Sequence, residues 1–243
     1  MAKSKDYQER FYRKWVNSNG LITREVIVGE TDLFVSAEKD VCKAAEALAK
    51  EYRSQIEAHI KKHPGFKTSL EPMKLNMDAP DIVKDMTFAS KLAGVGPMAS
   101  VAGAISEFIG KRLLQYTGQV IIENGGDIFI KSAIERTVAV FAGDSPLSNR
   151  LFIKVKPGQT PLGICASSGS TGHSLSFGKA DACVIISKST SLADAVATAA
   201  CNRVKKSEDI KAVLDFALSV KGVQGALIIL GKDFGVSGDV TLA

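Results

Sequence analysis

The stretch Gly163 to Asn202, GICASSGSTGHSLSFGKADACVIISKSTSLADAVATAACN, sets a Ser/Gly loop in front of a helix that carries Asp194 and Thr198. Residues four apart on a helix share a face, so the Asp194 carboxylate and the Thr198 hydroxyl can turn oxygen ligands toward one point. Hard cations such as Mg2+ take oxygen ligands of this kind, together with substrate phosphates and water. Gly169, Gly172 and Gly178 allow positive φ and bring backbone N–H groups close to a bulky anion. Two plainer readings stand beside this one. Ser191 and Asp194 have the spacing of a capping box, and Thr198 can return its hydroxyl to a carbonyl of the preceding turn.

Upstream, Ile121-Ile122-Glu123-Asn124-Gly125-Gly126-Asp127-Ile128-Phe129-Ile130 holds two β-prone runs around a polar break. It predicts strand, tight turn or kink, then strand. As a hairpin it needs no ligand; as a site, its two glycines remove side chains so that a flat or phosphorylated ligand can approach the backbone. A helix starting near Pro97 comes before it, and its run GPMASVAGAISEFIG is dense in Ala, Gly and Ser. Pro suits a first helical turn, and the small residues permit close packing.

In this order, these pieces resemble the ApbE-like superfamily, whose best-known members are flavin transferases that split FAD and attach FMN to a protein Ser or Thr. Gly103 matches the glycine of that family's Ala-Lys-Gly step, with Ala102 in place of the lysine. Gly125, Gly126 and Asp127 match its Gly-Gly-Asp strand, with Asn124 beside them. Ser167, Ser168 and Gly169 match its Thr-Ser-Gly loop, and Ala193, Asp194 and Thr198 its Ala-Asp-x-x-x-Thr helix. The resemblance implies Mg2+ on Asp194 and Thr198, FAD or FMN as ligand or substrate, and a protein acceptor of FMN. Two departures stand out. Ala102 removes a cation that could steady a phosphate. The family's His-x-x-Asp-Pro segment is absent, with Gly-His-Ser-Leu-Ser-Phe-Gly in its place, so the chain resembles a small branch of the superfamily. His173 is the candidate to replace the missing base, since an imidazole titrates near neutral pH. A His in a Gly/Ser loop also serves as an ordinary hydrogen-bonding residue.

Composition narrows the rest. The 243 residues, 45% hydrophobic and 23% charged, describe an ordinary globule with a sizeable core. The net charge of +5 is modest and partly reflects Lys and Arg in the first fourteen residues. No Arg-rich stripe with interleaved aromatics continues it, so nucleic acid is not an expected partner. Ala2 to Trp15 is charged and aromatic instead of apolar, and the apolar-rich run Leu92 to Ser106 is short of a bilayer span. The expectation is a cytoplasmic protein without a membrane partner; homo-oligomerisation stays open. Cys42, Cys165, Cys183 and Cys201 form no CxxC pair and read as reduced and buried, except that Cys165, just before the Ser/Gly loop, could be exposed at a site. His59 and His63 have i, i+4 spacing but no third ligand, and Pro64 ends their helix, so they read as solvated.

Along the chain, strands are expected at Ile22 to Val28 and Asp32 to Val35, and an amphipathic helix from Ala37 to Ile60. The Pro- and Met-rich stretch 63–97 reads as an irregular lobe, with Glu71 to Asp85 wrapping the core. Later strands are expected at Thr137 to Ala142, Leu151 to Val155, Ala182 to Ser187 and Ala226 to Leu230. Helices are expected at Leu192 to Asn202 and Ser207 to Val220. The fold class is α+β, a single ApbE-like domain over 1–243 with T-fold-related architecture, its helices packed on a largely antiparallel sheet. Gly94-Val95-Gly96-Pro97-Met98-Ala99 also fits a dinucleotide-binding pattern, with Glu123 beyond it, which would make an NAD(P)-dependent dehydrogenase. The segment Phe88 to Ala93 lacks the β-branched character of the strand that pattern needs. The leading expectation is an enzyme acting on FAD or a related nucleotide. The alternatives are a non-catalytic nucleotide or anion binder of the same fold, and a structural subunit.

Overall fold

A computed structural model describes residues 18–169 and 177–243. The basic residues near the N-terminus, Gly172 and His173 lie outside the described residues.

Eight antiparallel strands form the main sheet. In chain order they are β1 (Ile22–Val28), β2 (Thr31–Ala37), β3 (Val120–Asn124), β4 (Asp127–Lys131), β7 (Leu162–Ser167), β8 (Ala182–Ser187), β9 (Val223–Leu230) and β10 (Asp233–Gly238), and this is also their spatial order. A second sheet, ordered β11-β6-β5, uses β5 (Arg136–Ala139), β6 (Phe152–Val155) and β11 (Thr241–Leu242). The helices are α1 (Cys42–Lys62), α2 (Gly65–Thr68), α3 (Asp81–Ala93), α4 (Val101–Leu113), α5 (Thr190–Arg203) and α6 (Asp209–Ser219). A 3-10 turn, Pro97–Ser100, leads into α4.

Strand side chains alternate between faces, and this builds two cores on one sheet. Phe129 packs toward the helices with Leu33, Val120 and Ile122. Its neighbours Ile128 and Ile130 face the small sheet, where Val138, Ile153 and Val155 meet them. Cys183 and Ile185 join α5 and α6 on the helix side. Val184 and Ile186 face the small sheet, so β8 is buried on both faces and reads as a continuous apolar run. The result is three layers: helices, main sheet, small sheet. This is the expected α+β class with a largely antiparallel sheet.

Several local expectations shift. The first long helix begins at Cys42, because Ala37 is still paired with Val120 in the sheet. Within 63–97 the chain forms α2 and α3, and Gly94, at φ 73°, closes α3 in the left-handed conformation that glycine tolerates. Phe88 to Ala93 therefore lies in a helix, and the Gly94-Val95-Gly96 pattern has no strand leading into it. His59 is buried, edge-on to Phe66 with centroids 4.9 Å apart and 4.6 Å from the His63 ring. Burial, aided by the nearby His63 and Lys62, holds its pKa below the usual imidazole value. Cys165 is fully buried; it is not exposed at a site. Among the described residues, no single helix is long and apolar enough to cross a membrane.

Candidate functional site

The β3–β4 hairpin turns on two residues, Gly125 at φ 67° and Gly126 at φ 103°, with Asn124 opposite Asp127. Positive φ at both central positions is what a two-residue type I′ hairpin requires, and glycine meets it without strain. The short turn places Asn124 and Asp127 at the same end of the sheet. Both lie on the helix-facing side, in step with Ile122 and Phe129. Cys165 and Ser167 of β7 are in matching phase, since Ile128 pairs with Ile164. This end of the sheet thus gathers an amide, a carboxylate, a thiol and a hydroxyl beneath α4 and α5.

Those helices approach unusually closely. A Cβ on Gly103 would stand 2.5 Å from the Thr190 carbonyl oxygen and 2.7 Å from the Asp194 Cβ, so a side chain there has no room. In its place, the Gly103 N–H donates to Asp194 Oδ2 at 2.8 Å, and Ala102 N–H also serves that carboxylate. Asp194 therefore supplies acceptors to the first turn of α4, not to its own helix. The capping box allowed by the Ser191–Asp194 spacing, one of the plainer readings, does not form; Ser189 caps α5, accepting from Leu192 N–H at 3.2 Å.

Glu107 of α4 returns the arrangement. Only 2% exposed, it accepts from Thr190 N–H at 2.6 Å and Ser191 N–H at 3.1 Å through Oε2, while Lys111 Nζ holds Oε1 at 2.6 Å. Asp85 of α3 accepts from the Ser191 hydroxyl. Asn124 Nδ2 donates to the Ala102 carbonyl at 3.2 Å, and Ser106 Oγ lies 3.0 Å from the carbonyls of both Ala102 and Asp127. The sequence reading missed Glu107, Asp85 and Ser106. Its available signal was the lone acid in an otherwise small and apolar helix, one turn beyond Gly103.

The electrostatics are strained. Burial pushes the Asp194 pKa up to about 7, against the pull of the Gly103 and Ala102 amides. Asp127 is raised well above the usual carboxylate value, first by burial and then by the Asp194 charge. Burial and the same two carboxylates also push up the Cys165 thiol, which donates to the Thr190 carbonyl at 3.3 Å. Asp127 Oδ1 and Ser167 Oγ are buried without a hydrogen-bond partner. Asp194 and, one turn beyond it, Thr198 are half-buried. Glu123 sits on the opposite face of its strand, where it accepts from Gly126 N–H at 2.8 Å.

Among the described residues, no three His, Cys, Asp or Glu side chains gather as a metal cluster. The oxygen donors present, two carboxylates and neutral hydroxyls, are of the type a hard divalent cation accepts alongside water and ligand phosphates, and the neighbouring Cys165 thiol, its pKa pushed up by burial, is not a ligand such a cation selects. The unsatisfied Asp127 oxygen beside a second carboxylate is consistent with a cation at this place.

Ser168 and Gly169 continue from β7. Gly169 N–H donates to the Ala180 carbonyl at 2.9 Å, and a Cβ there would come within 2.2 Å of the Gly178 carbonyl oxygen. The two stems of the loop are thus held together beside the C-terminal end of α5.

This fold is shared with solved structures of flavin transferases of the ApbE group. The family model described as "AbpE bacteria" matches residues 13–240, and the chain belongs to the ApbE-like superfamily. Its relatives include a UPF0280 protein of Methanococcus aeolicus, 38% identical over 90% of this chain and 91% of that one. Another is a UPF0280 protein of Methanocaldococcus jannaschii, 36% identical over 89% and 91%. Among solved structures, the Pseudomonas stutzeri flavinyl transferase ApbE in its apo form superposes with a TM-score of 0.60 at 12% identity, covering 90% of this chain and 94% of that one. The ApbE protein of Thermotoga maritima gives 0.55 at 16% identity, covering 89% and 97%. At these identities the superpositions establish the fold.

Proposed function

We propose that the chain binds a flavin nucleotide together with Mg2+ and cleaves FAD, or transfers its FMN portion to a Ser or Thr of an acceptor protein. The observation that carries this reading is Asp127 Oδ1, a buried carboxylate oxygen without a hydrogen-bond partner, set beside the Asp194 carboxylate. A buried carboxylate beside a second, partly buried one is costly unless protons or a cation join them. Asp194 and Thr198 are the proposed ligands, with Asp127 completing the acidic face. Bound there, Mg2+ would neutralise charge on the pyrophosphate oxygens.

The chain's own groups do the rest. Gly125 and Gly126 leave the hairpin bare of side chains, so the ligand can lie against the backbone. Ser167 and Ser168 offer hydroxyls to the phosphates, while the Gly169 N–H is engaged by the Ala180 carbonyl. His173 is the proposed proton acceptor for the attacking hydroxyl or water. The attacking oxygen bonds to the phosphorus of the FMN half, the pyrophosphate P–O bond breaks, and AMP leaves with the bridging oxygen. Water as attacker gives FMN; a protein hydroxyl gives an FMN ester of that protein.

Incubation of the full chain with FAD and MgCl2 tests this. AMP release is expected, abolished by chelation of Mg2+ and by Asp194→Ala. If the native chain releases no AMP and Asp194→Ala changes nothing, the enzyme reading fails. One observation favours a second reading, a nucleotide binder without turnover: Ala102 occupies the family's lysine position, and its carbonyl is engaged by Asn124. Nucleotide retained through gel filtration with no product over hours selects that reading.

A further inference from the structure

We infer that Phe177 is the platform on which the planar ring of the bound nucleotide stacks, an inference that rests on the nucleotide-binding reading above. Asp194, Thr198 and Asn202 are spaced four apart on α5 and form one row along the helix. At one end of the row Asp194 accepts from Gly103 N–H. At the other, Asn202 Oδ1 accepts from Phe177 N–H at 2.7 Å. All three residues of the row keep part of their surface open to solvent.

The Phe177 main chain is fixed on several sides. Lys205 Nζ donates to its carbonyl, and Lys179 N–H donates to the Val204 carbonyl at 2.8 Å. A Cβ on Gly178 would stand 1.6 Å from the Cys201 carbonyl oxygen, so this segment lies directly on the end of α5. Yet the Phe177 side chain is 58% exposed. An aromatic ring held out to water on a pinned backbone forgoes the free energy of burial, and a ligand ring restores it without ordering the chain. Asn202 lies eight residue steps along the helix from Asp194, about 12 Å at 1.5 Å per step. That is the scale of a nucleotide stretched from its phosphates to its heterocycle. Phosphates at the acidic end place the ring at Phe177.

The ring chemistry is a flat heterocycle on a phosphorylated chain, supplied by either a flavin or an adenine nucleotide. The test titrates the full chain, with MgCl2 present, against FMN, ADP and inorganic pyrophosphate, using calorimetry for all three and flavin fluorescence for FMN. Phe177→Ala is expected to weaken the ring-bearing ligand about 10- to 100-fold, the usual worth of one aromatic stack. Phe177→Trp restores binding, and pyrophosphate affinity stays unchanged in both variants. Loss confined to FMN assigns the ring as isoalloxazine; loss confined to ADP assigns it as adenine. Native affinity of Phe177→Ala for both FMN and ADP overturns the inference, as does an equal loss for pyrophosphate. If Asp194→Asn weakens pyrophosphate while Phe177→Ala binds normally, this inference alone falls. If the native chain binds none of the three, the functional reading falls with it.

Discussion

Asp194 and Glu107 each cap the other's helix. Asp194, on α5, accepts from Gly103 N–H in the first turn of α4; Glu107, on α4, accepts from Thr190 and Ser191 N–H in the first turn of α5. Helix N-termini carry unsatisfied donors and partial positive charge, so each carboxylate lies where it is most stabilising. The exchange also fixes the height of Asp194 against the end of the sheet, with Asp127 next to it.

Glu107→Ala removes acceptors from two buried N–H groups. Caps and hydrogen bonds to charged groups are each worth roughly 1–2 kcal/mol, and the orphaned amides have no water to turn to. A destabilisation of about 2–3 kcal/mol is expected, visible as a lower urea midpoint with an unchanged m-value. A midpoint within error of the native protein would show that the reciprocal cap contributes nothing.

Gly103→Ala adds a methyl where the Thr190 carbonyl oxygen would be 2.5 Å away. That oxygen belongs to the backbone, so relief requires moving α4 away from α5. Overpacking of this kind costs about 1–3 kcal/mol. The N–H to Asp194 bond is expected to lengthen with it, so thermal unfolding drops and Mg2+-dependent nucleotide binding weakens together. Normal melting with normal binding would mean that the two helices have slack that the close approach does not reveal.

His59 gives the fold a pH-sensitive element away from the site. Its folded pKa is lowered, chiefly by burial, so the unfolded chain takes up a proton more readily than the folded one. Stability from this residue is present above the unfolded imidazole value, near 6.5, and is lost as pH falls through the lower folded value. Asp194 and Asp127, whose folded values are raised, act in the opposite sense over the same range, so the readout is the difference: from pH 8 to pH 5 the melting temperature of the native chain is expected to fall relative to that of His59→Gln. Parallel curves for the two proteins would locate the acid sensitivity elsewhere.

Much of the scaffold was legible because neighbouring residues determine it. Asn124-Gly125-Gly126-Asp127 announced its hairpin, since few residues tolerate the turn it makes. The strands Ile22–Val28 and Ala182–Ser187 were marked by β-branched runs. By contrast, α3 was obscured by the prolines and methionines around it, although Pro80 before it and Gly94 after it are a standard start and stop. Strand β7 went unread because Leu-Gly-Ile-Cys-Ala-Ser is short and made largely of small residues. Edge strand β10, with its two glycines, lacked apolar alternation for the same reason.

The sequence by itself determined the α+β layering, the hairpin, the α5 helix bearing Asp194 and Thr198, and membership of a superfamily through the order of short motifs. Only the tertiary structure decided what those residues touch. Asp194 had the spacing to cap its own helix, yet its partner is Gly103, 91 positions away. Cys165, just before the Ser/Gly loop, and His59, at the end of a charged helix, had the positions of accessible residues, yet both are buried. Periodicity and turn chemistry act over a few residues and leave their mark on the chain, whereas burial and cross-helix capping depend on which distant segments pack together.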